Sequence, residues 1–350
     1  MKKSFISASI ASVLAMASAS AMAAGPDFYG RLDLAVTNSD QGYTTQNGKD
    51  GTIFENNFSH LGVKGSEKIA EGFDVIYQME FGVDNTTTSG KTFTARNTFL
   101  GLKTNFGTAL VGRNDHVFKQ SEGGFDLFGN TNADIDRLII GQERVADGVW
   151  YYSPKIADLV TLNATYLLKD NQKDTQDQQY ALSATLGDSK LKAHNFYVAA
   201  AYMDGIADVQ AYRVLGQVKL ADFKIGGLFQ NSENNTYSNI EGNSYIVNLA
   251  YNLNGVNLKA EYGMDESGLG KYFQNASGLG DELAKANSTV ATQFSDINVE
   301  NITVGADYRI AKSTLLYGHY SMYKGDYKLA GAKLDLKDDN VFTVGVRFDF

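Results

Sequence analysis

Two-residue alternation, repeated along nearly the whole chain, constrains this sequence more than any motif. Phe28, Gly30, Leu32, Leu34 and Val36 alternate with Tyr29, Arg31, Asp33, Ala35 and Thr37. Phe73, Val75, Tyr77, Met79, Phe81 and Val83 alternate in the same way with Asp74, Ile76, Gln78, Glu80 and Gly82. At the end, Phe342, Val344, Val346, Phe348 and Phe350 alternate with Thr343, Gly345, Arg347 and Asp349. Successive side chains of a strand point to opposite faces, so each segment has one apolar, aromatic-ended face and one polar or small face. A period of two excludes an amphipathic helix. It suits a strand between hydrocarbon and water.

Sixteen candidate strands follow, near 27–37, 55–66, 72–83, 93–103, 107–113, 145–153, 159–168, 178–187, 190–203, 209–220, 223–231, 242–251, 256–265, 299–309, 313–322 and 341–350. The connections between them are long at 38–54, 84–92, 114–144, 169–177, 204–208, 232–241, 266–298 and 323–340. The intervening ones are mostly tight, as at Thr104-Asn105-Phe106, Asp188-Ser189 and Ala221-Asp222. An up-and-down barrel with one end outside the cell and the other in the periplasm separates its loops in this way. A soluble lectin-like or adhesin-like sandwich shares the alternation but not that segregation. The expected fold class is all-β: a 16-stranded antiparallel up-and-down transmembrane β-barrel with an inward-folded third loop.

Composition removes other classes. The chain has no cysteine, so there is no disulfide scaffold, zinc finger, Fe–S site or thiol nucleophile. A formal charge of −9 argues against a nucleic-acid partner, which requires basic stripes. Residues 1–23 have the three parts of a secretory signal: Lys2 and Lys3, an apolar run from Phe5 to Met16, and Ala21-Met22-Ala23. The expected organisation is a cleaved signal at 1–23 and a single transmembrane barrel over 24–350. Losing the two lysines takes the formal charge from −9 to −11.

Sixteen strands enclose an aqueous channel, whereas eight are filled by their own side chains. Chemistry then depends on lumen-facing residues and on any loop that folds inward. The connection at 114–144 is the candidate, since a loop of this length is commonly functional. Its apolar residues Phe118, Phe125, Leu127, Phe128, Leu138, Ile139 and Ile140 suit packing against the inner wall. Its acids Glu122, Asp126, Asp134 and Asp136 are then directed towards the lumen. The alternative is an external lid.

Several short pieces occur in a telling order. They are Phe28-Tyr29-Gly30-Arg31, Ser59-His60-Leu61-Gly62-Val63-Lys64-Gly65-Ser66-Glu67, Arg96-Asn97-Thr98-Phe99-Leu100-Gly101-Leu102, and Phe106-Gly107 leading to Gly112-Arg113. Glu122-Gly123-Gly124-Phe125, Arg144 ahead of Tyr151-Tyr152-Ser153-Pro154, and the terminal Phe350 complete them. In this order they make the mature chain resemble the Gram-negative general porins over almost its whole length. The resemblance implies an outer-membrane homotrimer in contact with lipid and lipopolysaccharide, each barrel passing small hydrophilic solutes and ions by passive diffusion. It implies a wall cluster of Arg31, Arg96 and Arg144, with Arg113 nearby and Glu122 and Asp126 opposite. A field between such groups orients dipolar solutes and biases ion choice. Alternation independently turns Arg31 to the polar face of its strand, and the inward placement is also favoured because a lipid-facing Arg near the midplane costs about 2–4 kcal/mol.

His60 stands where enteric relatives usually carry a basic residue. With an ordinary pKa near 6.5 it is largely neutral at pH 7, which implies a weaker positive wall and a mild cation preference. The other reading is that His60 fills space. A substrate-specific oligosaccharide channel is the closest alternative function, with Tyr29 and Tyr43 as available stacking rings. No enzymatic activity is expected. His60, His116, His194 and His319 sit in no recognisable nucleophile constellation, and G-x-S-x-G, P-loop and H-E-x-x-H patterns are absent. No cofactor is expected. The acidic connection 266–298 reads as a solvated external loop without Ca²⁺-loop spacing, so no metal is expected.

Overall fold

The structure is a computed structural model describing residues 25–350 apart from 85, 87–89, 170–177 and 286. The signal at 1–23 lies outside the described residues, as does most of the connection 169–177. The first strands are β1 (Asp27–Ser39), β2 (Gly51–Asn56), β3 (His60–Ala70), β4 (Phe73–Val83), β5 (Phe93–Thr104) and β6 (Gly107–Asp115). Next come β7 (Arg144–Tyr152), β8 (Val160–Leu167), β9 (Tyr180–Gly187), β10 (Phe196–Asp204), β11 (Val209–Leu220) and β12 (Phe223–Asn234). The last are β13 (Glu241–Leu253), β14 (Val256–Asp265), β15 (Phe294–Ala311), β16 (Thr314–Leu329), β17 (Ala332–Asp335) and β18 (Asp339–Asp349).

These segments make a closed antiparallel barrel of sixteen staves. β2 and β3 both pair with β1, so they are one stave interrupted at 57–59, where Phe58 takes a left-handed φ of 60°. β17 pairs only with the outer end of β16 and forms a small rim hairpin. Closure runs from Arg31 opposite Asp349 to Ser39 opposite Val341. Gly30 N donates to Phe350 O at 2.8 Å, and Phe350 N returns the bond at 3.0 Å. A closed ring leaves no unpaired edge, the condition for backbone within hydrocarbon.

The two faces separate as the alternation predicts. Leu32 and Val36 stand 46% and 42% exposed on the outside, while their neighbours Asp33, Ala35 and Thr37 are buried on the inside. Phe342, Val344, Val346 and Phe348 continue the apolar outer band on β18. Water would not tolerate so continuous an apolar surface, but lipid does.

Two expectations need correction. β10 begins at Phe196, not near 190, because Asp188 accepts the amides of Lys190, Lys192 and Ala193 at 2.7–3.0 Å and curls 188–195 into a turn. Those amides hold the exposed Asp188 carboxyl down to about 2. The connection 266–298 is not a solvated loop. It contains helices Lys271–Ser277 and Leu279–Leu283 and buries Leu269, Tyr272, Phe273 and Leu279, and β15 already starts at Phe294. Tyr272 and Phe273 are buried side chains of the first helix, and Leu269 is buried just ahead of its N-cap, Gly270. Tyr272 stacks on Tyr323 at 5.2 Å and Phe273 meets Tyr327 edge-on at 5.4 Å.

Candidate pore constriction

Residues 116–143, between β6 and β7, turn into the barrel. His116 caps the first turn, its Nδ1 accepting from Lys119 N at 3.2 Å, and the helix Val117–Gln120 buries Val117 and Phe118. Phe125, Phe128, Leu138 and Ile139 are buried, with Phe125, Leu138 and Ile139 joining the main hydrophobic cluster. Asp134 opens a single 3₁₀ turn, Ile135–Arg137, by accepting Asp136 N at 2.9 Å and Asn130 N at 2.6 Å. Gly141 returns the chain with φ 92°, and a Cβ there would lie 2.6 Å from the Phe118 ring.

The wall from β10 to β16 holds this loop by its backbone carbonyls. Tyr197 donates to Ser121 O at 2.9 Å, Asn248 to Phe125 O at 2.9 Å, and Lys259 to Leu127 O at 2.7 Å. Lys224 donates to Gly124 O, and Tyr323 to Asn132 O at 3.0 Å. Arg213 reaches both arms of the loop, donating to Ile140 O at 3.3 Å and Phe118 O at 3.5 Å, with its guanidinium 4.3 Å from the Phe118 ring centre. Gln230 also donates to Ile140 O, at 3.1 Å. Asn132, near the loop tip, donates to Thr37 at 3.0 Å and Glu55 at 2.5 Å.

The predicted basic residues lie on the other half of the wall, on β1, β3, β5, β6 and β7. Arg31 Nε bonds Asp349 at 2.8 Å. His60 faces Arg31 in register, and its Nδ1 donates to Phe58 O at 2.8 Å, leaving Nε2 at 3.8 Å from Glu80. Glu80 accepts from Arg96 Nε at 2.5 Å and from Tyr29 OH at 2.9 Å. A register shift opposite Glu80 leaves Arg96 and Asn97 both half-buried. Bulges of this kind re-aim side chains beside functional sites. Arg144 bonds Asn97 and lies 3.5 Å from Asp115, its register partner at the neck of the loop. Arg113 stands at a second register shift, half-buried, its Nε without a hydrogen-bond partner among the described residues.

The four predicted acids occupy different settings. Asp126 accepts Phe128 N at 2.8 Å; burial and then neighbouring Asp134 and Glu261 push its carboxyl well up. Asp134 is raised by burial and then by Asp136. Asp136 pairs with Arg137 at 3.3 Å and with Lys271 on the external helix. Glu122 is half-buried, and desolvation raises it to about 7. Sequence reasoning passed over Glu80 and Asp115, the acids among the arginines. The polar phase of β4 already carried Glu80. It also passed over Arg213, Lys224 and Lys259, which hold the loop from behind.

A closed barrel with an apolar exterior, a polar interior and a loop pinned across that interior defines a channel protein of the outer membrane. The chain belongs to the Gram-negative porin family, whose model matches residues 9–328. It is 27% identical over 177 residues to the major outer membrane protein P.IB of Neisseria sicca, a match covering 49% of this chain and 48% of that protein. The chain thus spans about half the length of this curated relative. Among solved structures, an anion-selective porin from Comamonas acidovorans superposes with TM-score 0.67 at 17% identity, over 93% of this chain and 99% of that one. OmpT of Vibrio cholerae in a trimer form gives TM-score 0.64 at 19% identity, over 93% and 99%. OmpF of Salmonella typhi in complex with daunomycin gives 0.64 at 15%, over 93% and 97%. At these identities the likeness is one of fold.

Proposed function

We propose that the chain, freed of residues 1–23, assembles as a homotrimer and passes small hydrophilic solutes and ions passively, with a mild preference for cations. The observation that carries this reading is the arrangement of the lumen: the β10–β16 half of the wall holds most of the loop, its tip alone reaches β1 and β2 through Asn132, and the charged groups of β1–β7 lie on the other half. The basic residues Arg31, Arg96, Arg113 and Arg144 with His60, and the loop acids Glu122, Asp126, Asp134 and Asp136, are the constriction in this reading. Cation preference follows because Asp349, Glu80 and Asp115 lie within 2.5–3.5 Å of Arg31, Arg96 and Arg144 and offset them. A mature charge of −11 adds to it.

General diffusion is favoured over an oligosaccharide track. The lumen tyrosines Tyr197, Tyr317 and Tyr323 are buried or half-buried, with hydroxyls engaged by Ser121, Asp33 and Asn132. Planar-bilayer recording tests the proposal. Current steps arriving in threes and a reversal potential of cation sign in a KCl gradient at pH 7 are expected. Anion preference at pH 7 contradicts the selectivity, and saturable block by one sugar contradicts general diffusion.

A further inference from the structure

At the short-turn end of the lumen a cavity of about 420 Å³ opens beneath Leu127 of the inward loop, and Lys190, Lys219, Lys224 and Lys259 line it. Lys219 on β11 lies directly opposite Lys224 on β12, and Lys224 and Lys259 flank Ala250 in the same row of the wall. Lys190 joins them from the 188–195 turn. Like charges placed opposite one another destabilise a sheet, so the row is unfavourable unless something offsets it. Asp222 is the one carboxylate lining the cavity. Lys259 alone of the four has a carboxylate ion-pair partner among the described residues, Asp307. The carboxylate of Asp188, close in sequence to Lys190, is turned back onto the amides of its own turn. Beside the row, Gln217 is 4% exposed, and both its side-chain polar atoms lack a hydrogen-bond partner among the described residues. Gln217 Nε2 and Lys224 Nζ both lie 3.9 Å from where a Cβ of Gly124 would stand.

We infer that this cavity is a subsite for small solutes carrying two or more negative charges, reached from the periplasmic end. The inference rests on the reading of the lumen as a conducting pore. Ammonium groups on flexible stems are point charges without the planar fork of arginine, so they select by charge more than by shape. The ligand class is therefore phosphorylated and polycarboxylate solutes together. Low-dielectric walls around a cluster of one sign concentrate counter-ions within it. The pore then has unlike ends: the constriction offsets its own cations, while in the short-turn vestibule three lysines form no carboxylate ion pair among the described residues.

The test uses single trimers in planar bilayers in dilute KCl, with pyrophosphate, citrate or acetate added to one side at a time. Pyrophosphate and citrate on the short-turn side should reduce the current saturably, with acetate far weaker. In Lys190→Gln/Lys219→Gln the half-blocking concentration should rise roughly fivefold, and salt should weaken the wild-type block. Lys192→Gln/Lys312→Gln removes equal charge from turns at the same end without touching the cavity, and should block like wild type. Equal block in both double variants, or block by acetate as strong as by pyrophosphate, overturns the subsite. A KCl current with no pyrophosphate effect also overturns the subsite but leaves the pore standing, whereas absence of any KCl current overturns the pore. If the first double variant fails to fold, Lys219→Gln alone, on the exposed end of β11, carries the same comparison with a smaller shift.

Discussion

From β1 to β7 the charged side chains of the lumen answer one another across neighbouring strands, whereas from β10 to β16 the wall's polar side chains answer the backbone of the loop. On the first half three arginines have carboxylates beside them: Arg31 with Asp349, Arg96 with Glu80, Arg144 with Asp115. On the second, Tyr197, Arg213, Lys224, Gln230, Asn248, Lys259 and Tyr323 all donate to main-chain oxygens. A carbonyl can only accept, so a wall that grips backbone is built of donors. Such a grip acts on the loop's main chain, while its apolar side chains pack into the hydrophobic cluster. One half holds the loop, and the other pairs its charges between neighbouring strands.

The largest test of that division is Arg213→Ala. It removes a buried cation that touches both arms of the loop, with each charge-assisted bond contributing about 1.5–3 kcal/mol. Noisier, larger currents and faster trypsin cleavage after Lys119 or Arg137 are expected. Quiet wild-type currents and full protease resistance would break the comparison. Next is Glu80→Gln on the opposite half, which leaves Arg96 without its counter-charge. Permeability should shift towards chloride by roughly twofold, with the open-channel noise unchanged.

A smaller effect is expected from Glu122. Its carboxyl, ordinarily near 4.5, is raised to about 7, so the folded protein holds this proton through a window where the unfolded chain has released it. Docking of the loop therefore weakens as pH rises from about 4.5 to 7, while the lumen gains negative charge. Cation preference should increase from pH 5 to pH 9 and flatten in Glu122→Gln; a wild-type reversal potential constant over that range sinks the assignment. The smallest effect belongs to Lys271→Ala. Its pair with Asp136 is half exposed on the lysine side, so at most about 1 kcal/mol is at stake. Slightly more flicker, vanishing at high salt, is the expected readout.

Much of this was legible from residue order. Period-two segments and alternating loop lengths specify a barrel because a strand between lipid and water must display unlike faces, and β11 and β14 appear at the expected residues. The inward loop was legible as a long apolar insertion. Its partners were not, since Arg213 and Phe118 lie 95 residues apart and meet only through barrel closure. The placement of Arg96 was also hidden, because a register shift interrupts the alternation that would have located it.

The amino-acid order by itself determined which side of each strand meets lipid, how many staves close the ring, and which loop is able to enter it. These are local consequences of side-chain period and of connection length. Only the tertiary structure decided which donors hold that loop, which acids temper which arginines, and which lysines gather at one end. Those pairings depend on stave order and register around the circumference, quantities that no window of neighbouring residues contains.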